Sequence, residues 1–457
     1  MLRLRRPGGH DGAVGDDEDT RALHEPVRGP VAAGSTALRD PVVDLARVAC
    51  ILLVVVAHLL MVGVGLDPSG RIVLSRPVEE QPWFVAATWV GQVMPLFFAL
   101  GGFTAATSWR RRRALGDTAA DFVRSRTLRL AAPALPLFAV VATALVIATL
   151  ARADPVLRDT IAAGIGVPLW FLAAYLLVQC LVPWLLALHE RAPRGTLIAL
   201  AGAAAIVDVA RFATGSREVG LIDLVFVGGF VQQLGFWYAD GWFGGRRRVQ
   251  LAVIAVAAYA LAWLGVAAGW HAPNMLTNLD PPTVSLMLLG VAQMSLLTLF
   301  HPALGRLMGS RSVRAGVAFV ASRALTLYLW HMPVIVVIAG TSLLLPGLAP
   351  APTDAAWWIG RPVVLAVVLI VVWLISYPLA RFDRFVRAAP AGSRRPSAAA
   401  IMLAAVLALV PLLAVILRRL DLALAVAGTV LLTAAVALDR ARPPRSEEAR
   451  DVRPARR

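Results

Sequence analysis

Lysine is missing from this chain: all 44 basic side chains are arginines. Cysteine is nearly absent, and the two present, Cys50 and Cys180, both sit in apolar runs. That excludes a disulfide framework and a paired-cysteine metal site. Also missing is any interval between apolar runs long enough to bury a core of its own, so no soluble catalytic domain is expected. No fixed-period repeat stands out, and the two halves show no matching broken helices, which weighs against an inverted-repeat transporter.

What is present is apolar. Of the 457 residues, 58% are hydrophobic, and mean hydropathy is +0.72, far above the needs of one soluble core. The pattern predicts an all-α polytopic membrane protein with twelve spans, at about 42–64, 83–107, 131–150, 169–188, 196–212, 221–240, 250–270, 283–300, 316–339, 359–379, 399–417 and 422–438. The last two, within 399–438, read as a hydrophobic hairpin. Residues 1–40, charged and rich in small polar residues, read as a disordered tail, 386–398 as a basic linker and 439–457 as a basic tail.

The net charge of +16 invites a nucleic-acid reading, but the arginines crowd into short loops between spans. Arg110 to Arg113, Arg246 to Arg248, Arg381, Arg384 and Arg387 all fall on one side if the spans alternate. The positive-inside rule accounts for them, with both termini cytoplasmic and no nucleic-acid partner. Arg418-Arg419, in the tight turn between the last two spans, violates the rule and leaves that hairpin re-entrant, interfacial or spanning.

The first span carries Asp44, Arg47 and His58, which are costly in hydrocarbon. Eleven residues separate Arg47 from His58, roughly three helical turns, so both occupy one face about 16 Å apart along the axis. Asp44 falls near that face. The second span holds Pro95 and the pair Gly101-Gly102, read equally as a bend or as a small-residue packing contact. Arg126 and Arg129 share a helical face suited to gripping phosphates, though topogenic charge is the commoner reason for such a pair. Asp208 and Arg211 read as a local ion pair. In the ninth span, Arg323 and His331 raise the prospect of a polar cavity shared with the first.

Taken in order, these residues resemble the acyltransferase-3 family of integral-membrane O-acyltransferases. Arg47 and His58 match the family's Arg, ten residues, His, with the acid at Asp44. Phe97-Phe98-Ala-Leu-Gly101-Gly102-Phe103 is similar to its aromatic and small-Gly-Phe motif, with Gly101 where the family often has Ser. Arg126 to Pro133, Leu169-Trp170-Phe171 and Tyr328-Leu-Trp330-His331-Met-Pro333 follow. The likeness covers about residues 40–385, and 41–385 reads as the acyltransferase-like domain; it implies a core of about ten helices, with 399–438 as an additional C-terminal hairpin. It implies transfer of an acyl group, acetyl in the first instance, from cytoplasmic acyl-CoA to a hydroxyl of a cell-surface glycan, glycolipid or related acceptor, in a bacterial plasma membrane and with no metal.

On that reading His58, Arg47 and Asp44 are catalytic. Arg47, Arg126 and Arg129 bind the donor, and Phe103, Trp170, Arg323, Tyr328 and His331 line the substrate cavity. A general base or an acyl-carrying nucleophile serves acyl transfer, and His58 can be either. The competing class is a multi-span transporter or exporter of a small solute or lipid-linked sugar; its usual acidic signature after the second span is replaced here by four arginines. A scaffold would leave the intramembrane Arg and His residues without a purpose.

Overall fold

The computed structural model describes residues 40–67, 69–345, 350–352, 354–387 and 396–440. The expected N-terminal tail, most of the basic linker and almost all of the basic C-terminal tail lie outside the described residues. In chain order the elements are α1 (Pro41–Met61), β1 (Gly63–Leu66), β2 (Ile72–Ser75), α2 (Phe84–Gly91), α3 (Met94–Ala114), α4 (Ala119–Leu130), α5 (Ala134–Leu150), α6 (Pro155–Cys180), α7 (Val182–Arg191), α8 (Pro193–Thr214) and α9 (Arg217–Gly220). There follow α10 (Asp223–Ala239), α11 (Arg248–Ala267), α12 (Val284–Leu307), α13 (Arg311–Ala321), α14 (Ala324–Ser342), α15 (Ala355–Arg387), α16 (Ala398–Arg418) and α17 (Leu422–Arg440). Among the described residues 11 helical segments are long and apolar enough to cross a membrane, or 12 if the bent pair α4–α5 is one span. This is an all-α, multi-pass membrane protein.

Two spans are drawn differently from the sequence expectation, and β1–β2 is additional. The fourth span begins earlier, with Asp154 capping the Leu157 amide at 2.7 Å and Pro155 in the first turn of α6. It stops at Leu181, and α7 starts anew with Pro183 in its first turn, where the missing N–H leaves no hydrogen bond unmade. The ninth span breaks at Arg323, whose backbone leaves the helical region (φ −123°, ψ 11°), so α13 and α14 are separate. The apolar face of α13 lays Val313, Val317 and Val320 against Leu45, Val48 and Leu52 of α1. β1 and β2 pair antiparallel, Gly63 with Ser75 and Leu66 with Ile72. Asp67 organises the turn by accepting from the amides of Ser69 (2.8 Å) and Arg71 (2.9 Å).

At the centre α3 crosses α10 through glycine. A Cβ on Gly102 would strike the Gln232 carbonyl, and one on Gly235 would strike the Ala99 carbonyl and the Phe103 amide. Such contact lets two backbones approach where apolar burial gives no drive for association. The glycine pair is therefore a packing seam inside a continuous helix. The break in the second span lies earlier, at Gln92–Val93. Gln293 of α12 repairs it: its Oε1 accepts from the Leu96 amide (2.9 Å) and its Nε2 donates to the Gln92 carbonyl (2.6 Å). Backbone groups freed at membrane depth need such partners.

The C-terminal hairpin packs on the same bundle. Leu420 fills the space over Gly166, and Gly428 lets α17 lie against Phe138. Arg217 donates to the Ile416 carbonyl (3.0 Å) and to Asp280, whereas Arg124 donates to the Asp439 carbonyl (2.7 Å). Those contacts tie the hairpin's turn to one end of the bundle and its last residues to the other. The α16–α17 pair thus runs the full length of the bundle, and Arg418 complements the carboxyl end of α16.

Candidate active site

Seating α1 beside α14 brings together two histidines from opposite halves of the chain. His58 Nδ1 lies 2.8 Å from His331 Nε2, and the rings stack at 5.0 Å between centroids and 14° between planes. His331 is fully buried, and its Nδ1 is 3.2 Å from the Leu327 carbonyl. A carbonyl only accepts, so His331 Nδ1 carries the hydrogen of that bond. Neutral His331 then offers Nε2 as a lone pair, and His58 Nδ1 must donate to it. His58 Nε2 is left as the proton acceptor. The two-ring chain therefore selects the tautomer that makes His58 a base.

The other end of the α1 face meets a group of arginines. Arg47 lies over the Phe97 ring, 5.6 Å from its centroid. Phe122 of α4 takes Arg126 at 4.6 Å and Arg112 at 5.9 Å. Arg47, Arg112 and Arg129 are all close enough to Arg126 for their charges to act on it, and Tyr175 is as well. Arg126 is only 9% exposed, and its Nε has no hydrogen-bond partner. Arg112 is steadied by Asp117 at 2.6 Å.

An aromatic wall connects the two ends. The Phe97 ring meets Phe171 at 5.4 Å and Tyr175 at 5.5 Å; Phe171 meets Tyr328 at 5.3 Å, and Tyr328 meets His331 at 6.0 Å. Phe171 and Tyr175 share a face of α6 because they are four residues apart. Tyr328 donates its hydroxyl to the Pro168 carbonyl of α6 at 2.7 Å. A Cβ on Gly101 would fall 2.5 Å from Tyr175 Oη, so glycine there leaves room for a hydroxyl brought from α6.

The remaining candidates are more scattered. Asp44 is half-buried in the first turn of α1, and Arg129 is exposed on α4. Trp170 stands edge-on to Phe171 at 6.0 Å. Phe103 packs on Tyr238 of α10 at 5.2 Å, on the far side of α3 from Phe97. Arg323 lies over the rings of Trp373 (5.5 Å) and Tyr377 (5.6 Å) of α15. Arg112 and Tyr175 were not singled out from sequence. Arg112 is hidden in a run of four arginines, whereas the spacing of Tyr175 from Phe171 was the available signal. Among the described residues no cluster of His, Cys, Asp or Glu is placed to hold a metal ion.

A family model described as Acyltransferase domain matches residues 40–377. Comparisons with curated proteins and with solved structures find no match. The matched segment begins just before α1, ends within α15 and takes in both histidines, the arginine group and the aromatic wall, while α16 and α17 lie beyond it. It spans well over half of the chain, and with the paired histidines and the ordered motifs it shows that the chain belongs to the acyltransferase-3 family.

Proposed function

We propose that this acyltransferase moves an acyl group, acetyl in the first instance, from acyl-CoA on the cytoplasmic side to a hydroxyl of a cell-surface glycan, glycolipid or related acceptor. The observation that carries the reading is the His58–His331 contact, which leaves His58 Nε2 free to accept a proton. The acceptor oxygen attacks the thioester carbonyl carbon while its proton passes to Nε2. The carbon–sulfur bond then breaks, and the imidazolium returns the proton to the departing thiolate. Atoms and charge balance without an acyl-histidine, so we assign His58 the role of general base. Such catalysis supplies typically about 10²–10⁴-fold in rate.

Four guanidiniums drawn together repel one another, and phosphate oxygens relieve that repulsion while filling donors such as Arg126 Nε. Arg47, Arg126, Arg129 and Arg112 are accordingly assigned to the donor's phosphates, with Asp44 orienting Arg47. The roughly 16 Å from Arg47 to His58 along α1 suits an extended pantetheine arm lying on the Phe97–Phe171–Tyr328 wall. The arginine distribution supports assigning the Arg47 end, and both termini, to the cytoplasmic side, in what we take to be a bacterial plasma membrane.

The test is acyl transfer from radiolabelled acetyl-CoA by purified His58→Ala and Arg47→Ala, each checked for insertion and fold. Both lose transfer under this reading. Full activity in folded His58→Ala overturns the mechanism.

A further inference from the structure

Helix α4 carries the buried Arg126, yet neither of its ends fixes how the helix is turned. It leaves α3 through the turn 115–118 and is bent 40° from α5. A helix interrupted on both sides can roll about its axis unless something at its flank holds it, and a binding constellation needs its side chains held to about 0.5 Å. Toward the bundle α4 buries Phe122, which stands edge-on to Trp109 at 5.3 Å and takes Arg126 on its face at 4.6 Å. Arg124 is two residues from Arg126, about 200° around the helix, so it faces the opposite way.

There it meets the C-terminal hairpin. Its guanidinium donates twice to one acceptor, the Asp439 backbone carbonyl, from Nε at 3.2 Å and from Nη2 at 2.7 Å. Arginine stays charged and a carbonyl only accepts, so the contact needs no assigned protonation state. The Asp439 side chain is buried too, 4.0 Å from Arg124 Nε. The hairpin has its own anchors elsewhere. Leu420 of its turn is seated over Gly166 of α6, Gly428 lies against Phe138 of α5, and Arg217 donates to the Ile416 carbonyl. It therefore offers α4 a fixed point, and one that comes from outside the matched segment 40–377.

We infer that the C-terminal hairpin is a brace for the donor site, with Arg124 as the positioning residue that holds α4 so that Arg126 stays turned toward the site. The inference rests on the acyl-CoA reading above for what the arginines bind, and on the contacts of α4 alone for the brace. The chain's two cysteines report on it separately. Cys180, 8% exposed at the end of α6, lies beside Thr127 of α4 and close to Arg126 and Asp439. Cys50 is buried in α1 and reports any general loosening.

The test uses the full-length protein in lipid nanodiscs, with N-ethylmaleimide labelling of each cysteine read by peptide mass spectrometry, and with KM and kcat for acetyl-CoA. Arg124→Met and Arg124→Gln both remove the bond, one keeping an apolar stem and the other a polar end, so one folded variant is enough. Either should speed labelling of Cys180 and raise KM about tenfold, the worth of a hydrogen bond from a charged group, with Cys50 labelling and kcat nearly unchanged. Arg124→Lys, which still donates to a carbonyl, should recover part of both effects. Wild-type labelling and KM in a folded variant overturn the brace. So does a raised KM with Cys180 still protected, which makes Arg124 a direct donor contact, and so does parallel exposure of both cysteines, which is general loosening. Faster Cys180 labelling with KM unchanged removes the donor-site role. If the wild-type protein neither binds nor turns over acetyl-CoA, the donor reading falls, while selective Cys180 exposure in the variants still upholds the brace on α4.

Discussion

His58 and His331 share one hydrogen bond, Nδ1 to Nε2 at 2.8 Å, although 273 positions separate them in the chain. The bond orients the first ring through the second, which is itself oriented by the Leu327 carbonyl. On the proposed mechanism His331 is a positioning residue, and removing it should cost less than removing the base. His331→Ala should lower transfer about 10–100-fold, the usual cost of losing a group that orients a functional histidine. His58→Ala should lower it further. The pH–rate profile separates a positioning role from a purely structural one: without His331 its acidic limb, which reports the base, should move, while in a packing variant of equal stability it should not.

Arg126 should act on donor affinity rather than on the chemical step. It is buried, stacked on Phe122 and surrounded by other guanidiniums, a placement suited to binding phosphate and distant from His58. Arg126→Ala should raise KM for acetyl-CoA about tenfold or more with kcat nearly unchanged, since a charge-assisted hydrogen bond is worth about 1.5–3 kcal/mol. Arg126→Lys should recover only part of the loss, because an ammonium neither stacks nor forks as a guanidinium does. Steady-state kinetics at two salt concentrations would check both.

The α3–α10 seam should be intolerant of a single methyl group. Gly235→Ala drives its Cβ into backbone atoms of Ala99 and Phe103, which cannot swing away as a side chain can. Destabilisation of about 1–3 kcal/mol or more is expected. Gly202→Ala on α8 is the control, because nothing lies within 4 Å of its added Cβ. A helical alanine there should be neutral or stabilising by up to about 1 kcal/mol. Thermal unfolding of the two variants in the same detergent gives the comparison.

Acid should loosen the end of the bundle where Asp240 and Glu190 lie. Burial pushes the Asp240 carboxyl up, but the hydrogen bonds from Arg110 and His189 outweigh it and leave it below the usual carboxylate range. Glu190 is likewise held low against burial by Arg113 and Arg110. A depressed carboxylate stabilises the fold fully above its unfolded value, about 4, and loses that stabilisation as pH falls through the lower folded value. Stability should thus fall below about pH 4, and Asp240→Asn should flatten that acid limb while lowering stability at neutral pH. Both side chains are partly exposed, so the effect should shrink with added salt.

Periodicity carried much of this structure into the sequence. The shared face of Arg47 and His58 follows from helical geometry alone, and long apolar runs announced nearly every span. Register between spans is a different matter. Nothing local says that His331 Nε2 will meet His58 Nδ1, because that contact depends on how α14 packs on α1. The same holds for Arg323, whose placement over Trp373 and Tyr377 depends on α15. Breaks were legible only where chemistry imposes them. Pro183 was the available signal for the end of α6, though the expected span 169–188 ran through it, and the break at Arg323 has no proline or glycine to announce it. The β1–β2 hairpin escaped notice because its strands are only four residues each and the first alternates with glycine.

Between Arg47 and His331 the wall consists of Phe97, Phe171, Tyr175 and Tyr328, and the Tyr328 hydroxyl is already committed to Pro168. A hydrated ion following those rings would shed its water and find no fixed charge to replace it. The same surface accepts a neutral, flexible thioester arm at little cost. If the bundle serves reactants from two compartments, as proposed above, this section would act as an electrical insulator and keep the membrane potential intact.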